Sequence, residues 1–277
     1  MTDRTSTFAA STKFILRALL ASSVLFLLSV SLHPSWDALV SWEMMVAALL
    51  VCTVLCWITE RSRVSGAELV ATLTGFYFVL ASLSNIPEGV LFDVVKIGQA
   101  PMMMAVQFGI ALVIAIVIAV LFGRTGSEAA AAPVWRSHMS ILGLIWRLAA
   151  SIAIFMICYI AAGMLIYPLV KGYYHLKNMP APEAMLSMIA LRAVVLVVAA
   201  VLVLRNMPSR KDAQLILATA FPVIAVISLM IPHNDFMPPF VRLVHTAEMV
   251  PYYALCGFLF ATWFGPPRAD EGQTITI

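Results

Sequence analysis

The sequence predicts an all-α integral membrane protein with eight transmembrane helices. Of its 277 residues, 62% are hydrophobic and 11% are charged, and the mean hydropathy is +0.97. An ordinary soluble domain is about 25% charged and about half apolar. A water-soluble chain of this length could not bury so much apolar surface, so we expect lipid to surround most of it.

Apolar windows of about 19 residues divide the chain into eight candidate spans. A helix needs about 20 mostly apolar residues to cross the hydrocarbon core, and each window is close to this length or longer. The spans are 14–32, 42–60, 66–92, 101–122, 141–169, 184–204, 213–231 and 240–264. The segments between them are too short to form a separate soluble domain.

The distribution of basic residues predicts that both termini are cytoplasmic. With the N-terminus inside, twelve of the 17 Lys and Arg residues fall in inward-facing segments, which agrees with the positive-inside rule. These twelve are Arg4, Lys13, Arg17, Arg61, Arg63, Arg124, Arg136, Arg147, Arg205, Arg210, Lys211 and Arg268. The outer five are Lys96, Lys171, Lys177, Arg192 and Arg242. We expect a multi-pass protein of the plasma membrane, which is the inner membrane in a Gram-negative bacterium.

A low-complexity connection divides the chain into two halves. This connection, 124–139, is predicted to be cytoplasmic and contains four consecutive alanines before Pro133. Residues 1–123 are then a first four-helix half, and residues 140–277 are a second one.

Similar segments indicate that the two halves are related by an internal repeat. Span three begins after Ser65 and reaches the pair Ile86-Pro87, and span seven begins after Ser209 and reaches Ile231-Pro232. The serines are 144 residues apart (209 − 65) and the prolines are 145 residues apart (232 − 87). Four helices in each half would make the repeat parallel, with its axis along the membrane normal. Chance similarity between apolar helices is the alternative.

The last span carries four polar side chains on one face. Arg242, His245, Glu248 and Tyr252 fall within an arc of about 120° if each residue turns the helix by about 100°. An ionisable side chain that faces lipid costs at least about 2.5 kcal/mol. We therefore predict that this face points into the helix bundle.

Further polar residues lie at a similar depth in other spans. Asn85 and Glu88 lie near the outer end of span three, where Pro87 interrupts the helix and a freed carbonyl needs a donor. Arg192 of span six lies about 12 Å below the outer boundary at a rise of about 1.5 Å per residue, close to the depth of Glu248. We predict an Arg192–Glu248 ion pair and a polar cavity that opens to the outer side.

Three kinds of chemistry fit these residues. A carboxylate close to a histidine can relay protons. His245, Glu248 and Glu88 are candidate ligands for a divalent metal ion, which is the only cofactor that the pattern indicates. Arg192 and Arg242 can clamp an anionic group. A purely structural role, in which polar side chains hold the helices together, is the alternative to all three.

The pattern favours a small carrier or a receptor-like protein that binds an apolar or amphiphilic ligand, or a coupling ion such as a proton. The residues expected to bind the ligand or proton are Asn85, Glu88, Arg192, Arg242, His245, Glu248 and Tyr252. A membrane-embedded enzyme that uses His245 and Glu248 on a lipid-like substrate at the outer leaflet is one alternative, and a non-catalytic assembly or scaffold protein is another. Membrane lipid is an expected partner and nucleic acid is not, because no basic run is interleaved with aromatic residues. The oligomeric state is left open.

Overall fold

A computed structural model gives the fold of most of the chain. The structure describes residues 4–32, 41–126, 140–175, 179–233 and 237–266, with side chains from Ser11 onward. Residues 127–139 of the predicted linker lie outside the described residues, as do Arg136, Lys177 and Arg268 and the side chain of Arg4.

The described residues form eight helical segments and no strand. They are α1 (Arg4–Leu32), α2 (Trp42–Arg61), α3 (Gly66–Leu91), α4 (Ala100–Leu121), α5 (Ile141–Tyr174), α6 (Pro182–Leu204), α7 (Arg210–Met230) and α8 (Pro239–Phe264). Most helix ends lie within a few residues of the predicted span ends. The exceptions are α1, which begins earlier, and α5, which has 34 residues and continues past the end of its apolar window.

Seven helices, α1 to α7, are long and apolar enough to cross a membrane among the residues that were described. This arrangement fits a multi-pass membrane protein. The last helix, α8, has 26 residues, or about 39 Å at about 1.5 Å per residue, so it is also long enough to cross. Its polar side chains Arg242, His245 and Glu248 all lie in its N-terminal half, and the count of eight spans remains a prediction.

The two halves pack their helices in the same pattern. In the first half, α1 packs against α2 and α4, and α3 packs against α4. In the second half, α5 packs against α6 and α8, and α7 packs against α8. Between the halves, α3 contacts α6 and α2 contacts α7. These two contacts are equivalent if the halves are exchanged.

One π-helical turn interrupts each of α3 and α7. In α3, the 13 residues Gly66–Phe78 are α-helical and are followed by the five-residue π segment Val79–Leu83. In α7, the 13 residues Arg210–Pro222 are followed by the five-residue π segment Val223–Ile227. Both parts are offset by 144 residues (210 − 66 and 223 − 79). The two π segments also contact each other.

The serine that follows each π segment makes an equivalent hydrogen bond. Ser84 donates its hydroxyl to the carbonyl of Leu80, and Ser228 donates its hydroxyl to the carbonyl of Ile224 at 2.7 Å. The offset is again 144 residues for both donor and acceptor. The likeness of α3 and α7 therefore extends from the lengths of their α-helical and π-helical parts to individual hydrogen bonds.

Of the seven apolar helices, α3 and α7 are the most buried, and both contact the opposite half. Leu73, Phe76 and Leu80 of α3 and Ile216 and Phe221 of α7 are 0% exposed. In contrast, α5 exposes most of its apolar side chains, as a helix that faces lipid would. The polar side chains described next lie at the C-terminal ends of α3 and α7, in the N-terminal half of α6, and between α5 and α8.

Candidate functional site

The predicted stripe on α8 points into the bundle. Its buried members and their exposed fractions are Arg242 (7%), His245 (9%) and Tyr252 (5%). The side chain of Glu248 is 6% exposed. The prediction of an inward-facing polar face is confirmed. The predicted site residues nevertheless form separate groups, because they bind different partners.

Arg192 of α6 binds the C-terminal end of α3. Its Nε and Nη2 donate to the carbonyl of Ser84 at 2.9 and 2.7 Å, and Nη2 also donates to Oδ1 of Asn85 at 3.4 Å. The same Nη2 forms an ion pair with Oε2 of Glu88. The predicted Arg192–Glu248 pair is therefore wrong, because similar depth does not determine the direction in which each helix turns its side chain.

The irregular backbone of α3 explains why Arg192 binds there. The π segment Val79–Leu83 and Pro87, which has no N–H, interrupt the regular hydrogen bonds of the helix. A carbonyl that loses its helical donor inside a membrane protein must find another donor. The guanidinium of Arg192 supplies this donor to Ser84, in the turn before the proline, which confirms the prediction for this region.

Arg242 has an equivalent role at the C-terminal end of α7. Its Nη1 donates to the carbonyls of Met230, Ile231 and Pro232 at 3.4, 3.2 and 2.5 Å. Each interrupted helix therefore ends on an arginine from another helix. Arg192 and Arg242 bind different helix ends. The structure therefore does not bring them together as the predicted clamp for one anionic group.

A chain of hydrogen bonds links α5 to α8. The hydroxyl of Tyr174 lies 2.8 Å from Nε2 of His245, and Nδ1 of His245 lies 2.9 Å from Oε2 of Glu248. An ionised carboxylate only accepts hydrogen bonds, so Nδ1–H donates to Glu248 and the phenol donates to Nε2 when the imidazole is neutral. Gly163 of α5 lies beside the carboxylate, and a Cβ there would be in ordinary contact with Oε1 at 3.7 Å.

Tyr252 lies in an aromatic cluster beside Arg192. Its ring and those of Phe155, Tyr159 and Tyr253 have centroids 5.0 to 6.3 Å apart. All three tyrosines interact electrostatically with Arg192. The hydroxyls of Tyr252 and Tyr253 are buried and have no hydrogen-bond partner among the described residues. Leaving such a group unsatisfied costs about 1–3 kcal/mol, so a polar guest would gain stabilisation here.

The structure does not assemble the proposed metal ligands. Within the ranges described above, no three His, Cys, Asp or Glu side chains are grouped so that they could hold a metal ion. Glu88 is bound to Arg192 on the α3 side, while His245 and Glu248 bind each other on α8. Glu88 therefore does not lie with His245 and Glu248, the other two candidate ligands.

A small cleft adjoins the Arg192–Glu88 pair. Its volume is about 10 Å³. This space is about enough for one water molecule. The cleft is lined by Glu88, Phe92, Tyr159, Met185, Met188, Ile189 and Arg192. The ion pair thus lies at one side of a mostly apolar space.

Several residues of these groups are missing from the predicted site, and Ser84, Tyr174 and Tyr253 illustrate the reasons. Ser84 contributes only its backbone carbonyl. The neighbouring Pro87 predicts a carbonyl without a helical donor, but it does not indicate which side chain donates to it. Tyr174 lies past the apolar window that ends at residue 169, which places it in a loop, but α5 stays helical to this residue. Tyr253 has no signal of its own, because an isolated tyrosine in an apolar span is usually a packing residue.

The fold and these side chains define a multi-pass helical membrane protein with ion pairs and a hydrogen-bonded polar chain inside the bundle. Comparison of the chain with known protein families, with curated proteins and with solved structures finds no match. Its function is therefore inferred from the geometry of these groups.

Proposed function

We propose that the protein is a proton-coupled carrier of the plasma membrane, with eight transmembrane helices and both termini in the cytoplasm. The observation that carries this proposal is the hydrogen-bonded chain Tyr174–His245–Glu248. Ionisable side chains inside a membrane are costly, and where they occur they often form proton relays. A phenol, an imidazole and a carboxylate in line can pass a proton from one group to the next.

The position of this chain supports uptake from the outer side. With the N-terminus inside, the end of α5 and the start of α8 face outward. Tyr174 is the last residue of α5 and is partly buried, whereas Glu248 lies about 14 Å further along α8 than its first residue, Pro239, at about 1.5 Å per residue. The chain therefore leads from the outer boundary towards the interior of the bundle.

The proposal includes a parallel repeat of two four-helix halves, 1–123 and 140–277, joined by a cytoplasmic linker at 124–139. Three observations support it. The α-helical and π-helical parts of α3 and α7 have equal lengths, they are 144 residues apart, and the two halves pack their helices in the same pattern. Carriers built from repeats often place their binding sites at the repeat interface, next to interrupted helices. Both interrupted helices, α3 and α7, contact the opposite half.

Proton uptake by reconstituted protein tests the carrier. Proteoliposomes with a trapped pH-sensitive dye receive an inward proton gradient and an inside-negative potential. The natural sequence should acidify the lumen faster than empty liposomes. Glu248→Gln keeps the size of the side chain but cannot bind a proton in the same way, so the flux should fall at least roughly tenfold.

The matched control is Glu183→Gln, which removes an exposed carboxylate from the first turn of α6 and should leave the flux unchanged. Circular dichroism and gel filtration verify that each variant is folded. Unchanged flux in a folded Glu248→Gln variant would overturn the proposal. A flux that falls only in proportion to the amount of folded protein would indicate an assembly or scaffold role instead.

A second candidate is a membrane-embedded enzyme that acts on a lipid-like substrate at the outer leaflet. The same three residues favour it. A nucleophilic triad consists of a hydroxyl, a base and an acid that orients the base, and Tyr174, His245 and Glu248 follow this order. Tyr174→Phe separates the two functions. An enzyme would hydrolyse a fluorogenic lipid ester and lose this activity in Tyr174→Phe. The carrier would not hydrolyse the ester in either form, and its proton flux would fall in Tyr174→Phe.

A further inference from the structure

We infer that the cleft beside Arg192 binds a small carboxylate with a short apolar tail, and that the head group of this ligand replaces Glu88 at the guanidinium. The inference rests on the proposed carrier function and names the class of its substrate. Its starting point is the unequal burial of the two partners. Arg192 is 2% exposed, whereas the side chain of Glu88 is 28% exposed.

This difference determines which partner can leave. A buried guanidinium that loses its counter-charge is strongly destabilised, so Arg192 must always hold an anion. Glu88 can turn outward to water at much lower cost, because it already reaches the surface. A ligand carboxylate presents the same two oxygens as Glu88 and leaves the charge around Arg192 unchanged. A carboxylate is therefore the head group that this site accepts most easily.

The walls of the cleft favour an apolar tail. Phe92, Met185, Met188 and Ile189 provide apolar surface next to the ion pair. Methionine side chains are flexible and fill irregular spaces, so the two methionines can move aside for a ligand. In the present arrangement the cleft has room for about one water molecule. A ligand can therefore enter only as Glu88 and the methionines move aside, which favours a short tail.

The aromatic cluster provides further donors near the head group. Tyr159 lines the cleft and packs against Tyr252 with ring centroids 6.2 Å apart. The hydroxyls of Tyr252 and Tyr253 are buried without a hydrogen-bond partner among the described residues, and both tyrosines interact electrostatically with Arg192. A carboxylate at Arg192 gives these hydroxyls an acceptor, which Glu88 does not provide in its present position.

Binding of hexanoate to the full-length protein in nanodiscs tests the inference by calorimetry. The natural sequence should bind hexanoate, and hexan-1-ol and hexylammonium should bind at least roughly tenfold more weakly, because hydrogen bonds to a charged group are lost. Glu88→Ala removes the competing carboxylate, so it should bind hexanoate at least roughly tenfold more tightly. Arg192→Met should abolish binding, and Glu183→Ala should leave it unchanged.

A second variant protects the test if Arg192→Met does not fold. Ile189→Phe keeps both charges and fills part of the cleft, so in the Glu88→Ala background it should weaken hexanoate binding at least roughly tenfold. Equal binding of hexanoate and hexan-1-ol, or equal affinity with and without Glu88, would overturn the inference. Binding is measured without a proton gradient, so it is independent of the flux assay. If Glu248→Gln loses proton flux but still binds hexanoate, both proposals are supported. If Arg192→Met loses hexanoate binding while Glu248→Gln keeps its proton flux, only the proton-coupled function is overturned.

Discussion

Replacing Glu88 by alanine tests the ion pair that joins α3 to α6. The substitution leaves the guanidinium of Arg192, which is 2% exposed, without its counter-charge. Removing one partner of a buried ion pair costs about 3–5 kcal/mol. Two features lower this value, since Glu88 is 28% exposed and Arg192 keeps two hydrogen bonds to the carbonyl of Ser84. We expect the free energy of unfolding to fall by about 2–3 kcal/mol.

Reversible unfolding in mixed micelles, followed by circular dichroism, measures this loss. Glu183→Ala, which removes an exposed carboxylate at the start of α6, should change the free energy of unfolding by less than about 0.5 kcal/mol. In a double-mutant cycle, Glu88→Ala and Arg192→Met should be non-additive by at least about 1.5 kcal/mol, because both remove the same pair. A Glu88→Ala loss no larger than that of Glu183→Ala would refute the reasoning that Arg192 depends on Glu88.

Three further substitutions test the packing and the ends of α7 and α8 in the same unfolding assay. Gly257→Ala should lower the free energy of unfolding by about 1–3 kcal/mol, because its Cβ would overlap the carbonyl of Leu217. The control is Gly109→Ala, which has nothing within 4 Å of the added Cβ and should leave the free energy of unfolding unchanged or raise it slightly. Arg242→Met should cost about 2–3 kcal/mol, since three carbonyls at the end of α7 lose their donor, and a loss below about 0.5 kcal/mol would contradict this role. Ser209→Ala should cost about 1 kcal/mol, since its hydroxyl caps the first turn of α7, and no change would show that water replaces the cap.

The positions of the helices could be predicted because hydropathy is a sum over neighbouring residues. Each residue contributes its own cost of transfer into lipid, so a window of the sequence contains all the necessary information. The end of α5 shows the limit of this method. The apolar window ends at residue 169, yet the helix continues to Tyr174, because backbone hydrogen bonds can extend a helix beyond its apolar part. This extension is what brings the phenol to His245.

The π segments could not be predicted from the residues that form them. Val79–Leu83 and Val223–Ile227 are apolar stretches that would also fit a regular α-helix. A π turn is less stable in isolation, and packing against other helices decides whether it persists. The Ile-Pro pairs after both segments were the visible signal, since they predict carbonyls without helical donors. The arginines that supply those donors belong to other helices, α6 and α8, which no local pattern connects to them.

The sequence by itself determined that the chain is helical and apolar and that Arg242, His245 and Glu248 face inward. Those conclusions depend on the cost of placing one side chain in lipid, which each residue carries with it. Only the tertiary structure decided that Arg192 binds Glu88 and that Tyr174 binds His245. An ion pair depends on the distance between atoms of two helices, and helix rotation and the π turn of α3 set that distance. Glu248 is therefore free of Arg192 and belongs to the chain that reaches Tyr174.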